Sequence, residues 1–121
     1  MSRTVLLIED NEQNRYLVSY LLEQEGHTVV MAENGSQGIE EALRILPDLI
    51  LLDIQLPRMD GYAVARAIRE LEPLRSVPIV AVTSYALTGD REKSLEAGCN
   101  GYLEKPINPE TFVAEIERFF S

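Results

Sequence analysis

Asp48-Leu49-Ile50-Leu51-Leu52-Asp53-Ile54-Gln55-Leu56-Pro57 places four consecutive aliphatic side chains between two carboxylates. That run is too short for a helix, and it lacks the apolar–polar alternation of a strand with one wet face. It reads as a strand covered on both sides, the kind found in parallel sheets with helices on each face. Val5-Leu6-Leu7-Ile8 and Ile79-Val80-Ala81-Val82 have the same character, while Thr28-Val29-Val30-Met31 and the weaker Gly101-Tyr102-Leu103 complete a set of five.

Helical patterns lie between these runs. Ile39, Ala42, Leu43 and Leu46 follow i, i+3, i+4, i+7 and predict one apolar stripe. Leu17, Tyr20 and Leu21 predict another, as do Val64, Ile68 and Leu71. A last helix carries Phe112, Val113, Ile116, Phe119 and Phe120, and the adjacent phenylalanines leave one of the pair for an interface. Asn11 and Asn34, the latter with Gln37 three residues on, suit helix starts. Gly26 and Gly98 suit helix ends, and Asn108-Pro109-Glu110 gives a cap followed by Pro at the first helical position. Strict alternation of strand and helix predicts right-handed crossovers and an α/β fold, a three-layer (βα)5 sandwich. For five parallel strands the flavodoxin-like order 2-1-3-4-5 leads. Residues 1–121 are expected to form one domain, with no room for a second.

Composition narrows the functional classes. The chain has 121 residues with 11 Lys+Arg against 20 Asp+Glu, a net charge of −9, so a phosphate-backbone binder is disfavoured. Apolar residues at 45% and charged residues at 26% exclude intrinsic disorder. The lone Cys99 excludes an internal disulfide and reads as a small buried hydrophobe in a reducing, cytoplasmic setting. Neither a membrane-spanning run nor a signal-peptide pattern is present in the sequence. The only histidine, His27, reads as surface or strand-edge without a role.

In this architecture ligands bind beyond the carboxyl ends of the strands. Those ends carry Glu9-Asp10, Asp53, Thr83 and Lys105. Three carboxylates in one cleft repel each other unless a cation intervenes. Mg²⁺ suits them, because it takes oxygen ligands and keeps several waters. Zinc does not, since Cys99 and His27 fall elsewhere. An Asp beside Mg²⁺ and a lysine can attack phosphorus and form an aspartyl phosphate. Lys105 would pair with one phosphoryl oxygen and Thr83 would hydrogen-bond another. With no evident general base for rapid hydrolysis, the product would last long enough to signal.

Leu7-Ile8-Glu9-Asp10-Asn11, the Asp48–Pro57 stretch, Met59-Asp60-Gly61, Val82-Thr83 and Lys105-Pro106 together resemble the receiver domain of two-component response regulators over the whole chain. The resemblance is closest to stand-alone cell-cycle regulators, through Glu-Asp-Asn-Glu, Asp-Ile-Gln-Leu-Pro, Gly89-Asp90 and Gly98-Cys99. It implies that Asp53 is the phosphoacceptor, with a sensor histidine kinase or a histidine phosphotransfer protein as donor. Asp10, Asp53 and the backbone carbonyl of Gln55 would ligate Mg²⁺, and Glu9 would hold a metal-bound water. Thr83 would be the switch hydroxyl, Lys105 the phosphate-binding lysine, and Tyr102 the aromatic that turns inward when the threonine moves. Gln55 and Tyr85 occupy positions that tune phosphate lifetime, and Lys105-Pro106 is a candidate cis peptide, although X-Pro bonds are mostly trans. The face of the fourth helix, fifth strand and fifth helix would meet a downstream protein target. A monomer or weak dimer without nucleic-acid or membrane contact is expected, and Glu12, Gln13, Asn14 and Arg15 would offer the donor a docking face.

Rival readings fare worse. A haloacid-dehalogenase-type phosphatase wants a second acid where Gln55 stands. A flavin carrier would meet repulsion between Glu9-Asp10 and the FMN phosphate, and no G-x-x-x-x-G-K-[ST] loop exists for an NTPase. A receiver that docks without being phosphorylated remains the main alternative.

Overall fold

The structure, a computed structural model, describes residues 3–56, 60–83 and 90–120. Elements run β1 (Thr4–Ile8), α1 (Glu12–Gln24), β2 (Thr28–Ala32), α2 (Gly35–Ile45), β3 (Leu49–Asp53), α3 (Gly61–Glu70), a 3-10 turn (Glu72–Leu74), β4 (Ile79–Thr83), α4 (Asp90–Glu96), β5 (Gly101–Glu104) and α5 (Phe112–Glu117). All strand pairs are parallel, in the order β2-β1-β3-β4-β5. β3 and β4 are buried along their whole lengths, which is why their sequences show no alternation.

Side-chain alternation along the strands divides the core in two. Leu6, Ile8, Ile50, Leu52, Ile79 and Ala81 face α2 and α3. Val5, Leu7, Leu49, Leu51, Val80 and Val82 face α1 and α5. The register sets Asp53 against Val82, so both strand ends arrive at one edge.

Caps follow the sequence. Asn11 Oδ1 accepts from Asn14 N–H at 2.9 Å, and Asn34 Oδ1 accepts from Gln37 N–H at 2.9 Å. Gly26 and Gly98 take φ of +87° and +104° at the ends of α1 and α4. Three expectations about the helices need correction. In α1 the buried face is Val18, Ser19 and Leu22, while Tyr20 is exposed; Ser19 tolerates burial because its hydroxyl donates to Tyr16 O at 3.1 Å. In α2 Ile39 and Ala42 pack on the core as expected, together with buried Gly35 and Gly38, but Leu43 and Leu46 are exposed. α5 begins at Phe112 rather than after Asn108, although Asn108 O accepts from Phe112 N–H at 2.9 Å. Asn108 thus nucleates a turn that leads into the helix.

Phe119 and Phe120 both pack, partly buried, against the α1/α5 side of the core, so the expected split into one core ring and one interface ring is not seen. His27 is buried, not peripheral: its Nδ1 accepts from Arg3 N–H at 3.2 Å and its Nε2 lies 3.1 Å from Glu117 Oε2. Cys99 is buried as expected, and burial pushes its thiol up to about 11.

Leu46 ends α2 in the left-handed region at φ 48°, directly before Pro47. That conformation costs an L-residue with a full side chain about 1 kcal/mol, and Leu46 is exposed, so little packing offsets it. Leu46→Asn is expected to raise stability by about 0.5 kcal/mol in urea unfolding. A loss instead would mean that the leucine side chain stabilises the native state by contacts that outweigh the backbone cost.

Candidate functional site at the carboxyl edge of the sheet

The end of β1 and the end of β3 bring Glu9 and Asp53 side by side, each only 3% exposed. Lys105, following β5, reaches between them: its Nζ lies 3.0 Å from Glu9 Oε1 and 3.4 Å from Asp53 Oδ2. Gln55 N–H donates to Asp53 Oδ1 at 3.0 Å, and Asn11 N–H donates to Glu9 Oε2 at 3.3 Å. Asp10 is exposed, and with Glu9 and Asp53 it can offer oxygens that all lie within 4.8 Å of one another. Thr83 closes β4, buried to 2% exposure, and its carbonyl accepts from Lys105 N–H at 2.7 Å. Lys105-Pro106 is cis.

The electrostatics show an excess of negative charge at this edge. Burial, reinforced by the hydrogen bond and charge of Asp53, pushes Glu9 up to about 7 despite the opposing pull of Lys105. For Lys105, burial works downward, but Glu9 and Asp53 outweigh it and hold the ammonium above its ordinary value. One ammonium does not neutralise three clustered acids. The donors are all oxygens, held at an edge open to water through Asp10, which fits a hard cation such as Mg²⁺ and not a thiophilic metal.

Of the other residues singled out, Tyr102 lies in β5 opposite Ala81 and packs partly buried on the α2/α3 side of the core. Thr83, two residues beyond Ala81, points to that same face. Tyr85 lies outside the described residues, as do Pro57, Met59 and Gly89. Among the α1 residues, Glu12 and Gln13 are exposed, but Arg15 is turned inward with its side chain 15% exposed. Its Nη1 donates to the carbonyl of Glu9 at 2.8 Å, a contact that sequence reading missed because a backbone acceptor leaves no residue signature.

Residues 5–117 match the response regulator receiver domain. The chain belongs to that family. The receiver is 37% identical over 119 residues to the polar-differentiation response regulator DivK of Brucella anthropi, spanning 98% of this chain and 97% of that protein. Its backbone superposes on the chemotaxis protein CheY4 of Vibrio cholerae with a TM-score of 0.94, at 28% identity, covering 99% of this chain and 100% of that one. The receiver domain of the sensor histidine kinase PA1611 from Pseudomonas aeruginosa, with magnesium in its active-site cleft, is 39% identical with a TM-score of 0.89, covering 98% of both chains. The family belongs to two-component signalling rather than to metabolic catalysis. Among the receiver's described residues, no helix is long and apolar enough to cross a membrane.

The turn after the receiver's Asp53 depends on Gly61. Its N–H donates to Ile54 O at 2.9 Å, and a Cβ there would come within 2.5 Å of Ile54 Cα and 2.7 Å of Asp53 O. Neither backbone atom can yield without moving the acidic site. Gly61→Ala should destabilise the receiver by about 1–3 kcal/mol in chemical denaturation. A stability equal to wild type would mean that this loop is free to shift.

Proposed function

We propose that Asp53 accepts a phosphoryl group from a phosphohistidine on a sensor histidine kinase or histidine phosphotransfer protein, and that the α4-β5-α5 face then signals to a downstream protein. The observation carrying this reading is the buried Asp53 carboxylate, 3.4 Å from Lys105 Nζ and clustered with Glu9 and Asp10. An Asp53 oxygen bonds to phosphorus as the P–N bond breaks, and the imidazole leaves with that electron pair and takes a proton from water. Lys105 pairs with one phosphoryl oxygen, and the Thr83 hydroxyl donates to another. Glu9, Asp10, Asp53 and the Gln55 carbonyl would hold Mg²⁺, with Glu9 acting through a bound water. When bound, the ion neutralises charge on the transferring group.

Tyr102 shares the face of Thr83, so movement of the hydroxyl toward the phosphoryl group opens space that the ring can fill. Gln55 and Tyr85 are then the side chains that set access of water to the acylphosphate.

Acetyl phosphate with Mg²⁺ tests this reading by intact mass. The wild type should gain one phosphoryl group, about 80 Da, and EDTA should abolish the gain. No adduct, with a beryllofluoride complex still forming, would indicate a short-lived phosphate. Absence of both would favour a receiver that works by docking alone.

A further inference from the structure

β1 ends at Ile8, so the backbone of Glu9 has left the continuous ladder just where the acidic pair begins. Two contacts replace the ladder. Glu9 N–H donates to Ala32 O at 3.0 Å, and Glu9 C=O accepts from Arg15 Nη1 at 2.8 Å. The second contact fixes the peptide that joins Glu9 to Asp10. Asp10 is exposed and makes no side-chain hydrogen bond among the described residues, so its position is inherited from that peptide. Arg15 is itself held: Nη2 lies 3.4 Å from Glu33 Oε1, and Glu33 N–H donates to Gln37 Oε1 at 2.7 Å beside the start of α2.

We infer that Arg15 is a positioning residue for the cation site, holding the Glu9–Asp10 peptide so that the Asp10 carboxylate faces Glu9 and Asp53 before any ion arrives. The inference rests on the Mg²⁺ reading above. Its expected effect has a distinctive sign. As a plain positive charge near three acids, Arg15 would repel Mg²⁺, and removing it would tighten binding. As a clamp it lowers the ordering cost of the ligand set, and removing it weakens binding.

Isothermal titration of Mg²⁺ into wild type, Arg15→Ala and Arg15→Lys separates the two. Both variants should bind Mg²⁺ about 10-fold more weakly, at the lower end of what loss of an outer-shell partner costs. Arg15→Lys keeps the charge and loses the planar fork, so its weakening isolates geometry, and it serves alone if Arg15→Ala does not fold. In the metal-free proteins the Asp10 amide resonance should also shift in both variants. Unchanged or tighter Mg²⁺ binding by a folded variant overturns the inference. A wild type that fails to bind Mg²⁺ overturns the functional reading, and this one with it.

Discussion

Asp53→Asn is expected to take up no phosphoryl group under conditions in which the wild type should gain about 80 Da, a complete loss on the mass scale. The amide cannot act as the attacking oxyanion, yet it is nearly isosteric with the carboxylate. Its Oδ1 can still accept the Gln55 N–H that Asp53 accepts at 3.0 Å. What it gives up is the contact of Asp53 Oδ2 with Lys105 Nζ, at 3.4 Å in the native site. Removing one carboxylate from beside Glu9 offsets part of that loss, so the change in stability should stay within about 1 kcal/mol. A folded Asp53→Asn protein that still gained the full mass would place the acceptor elsewhere.

The second large effect is on stability against pH without a divalent cation. Glu9 rises from 4.5 in the unfolded chain to about 7 in the folded one. The folded state therefore binds this proton more tightly. The resulting stabilisation is fully present below pH 4.5 and disappears as pH rises through about 7. The loss is expected to be about 3 kcal/mol. Urea midpoints in EDTA should fall across this window. Saturating Mg²⁺ should flatten the fall, because a cation beside Glu9 favours its charged form. A flat profile in EDTA would mean that Glu9 is ionised throughout.

The sheet was legible because its three inner strands are covered on both faces, and uninterrupted runs such as Leu49–Leu52 have no other economical reading. The site was legible for a related reason: once β3 and β4 are placed, topology alone carries Asp53 and Thr83 to the ligand-binding edge. The helix faces were less so. Hydrophobicity pointed to Tyr20 in α1, whereas the structure buries Ser19, whose hydroxyl is satisfied by the Tyr16 carbonyl one turn back. His27 was misread because its partner Glu117 lies 90 residues away. Arg69 is a similar case. Its guanidinium ties the carbonyls of Gly98, Leu74 and Arg75 to the side chain of Asn100, joining the ends of α3 and α4 through acceptors that are mostly backbone. Periodicity finds strands and stripes; it does not find donors whose acceptors carry no side-chain identity.

Arg3 sits 5.5 Å from the Phe120 ring, and His27, just before β2, packs against the same ring at 5.3 Å. The beginning of β1 and the end of α5 are thereby fastened together at the pole of the sheet opposite Asp53. Joining those ends with a short linker and reopening the chain at another loop would leave the acid cluster undisturbed. For the same reason the domain has the geometry of a cassette: both connections can leave from one side, away from the acid cluster.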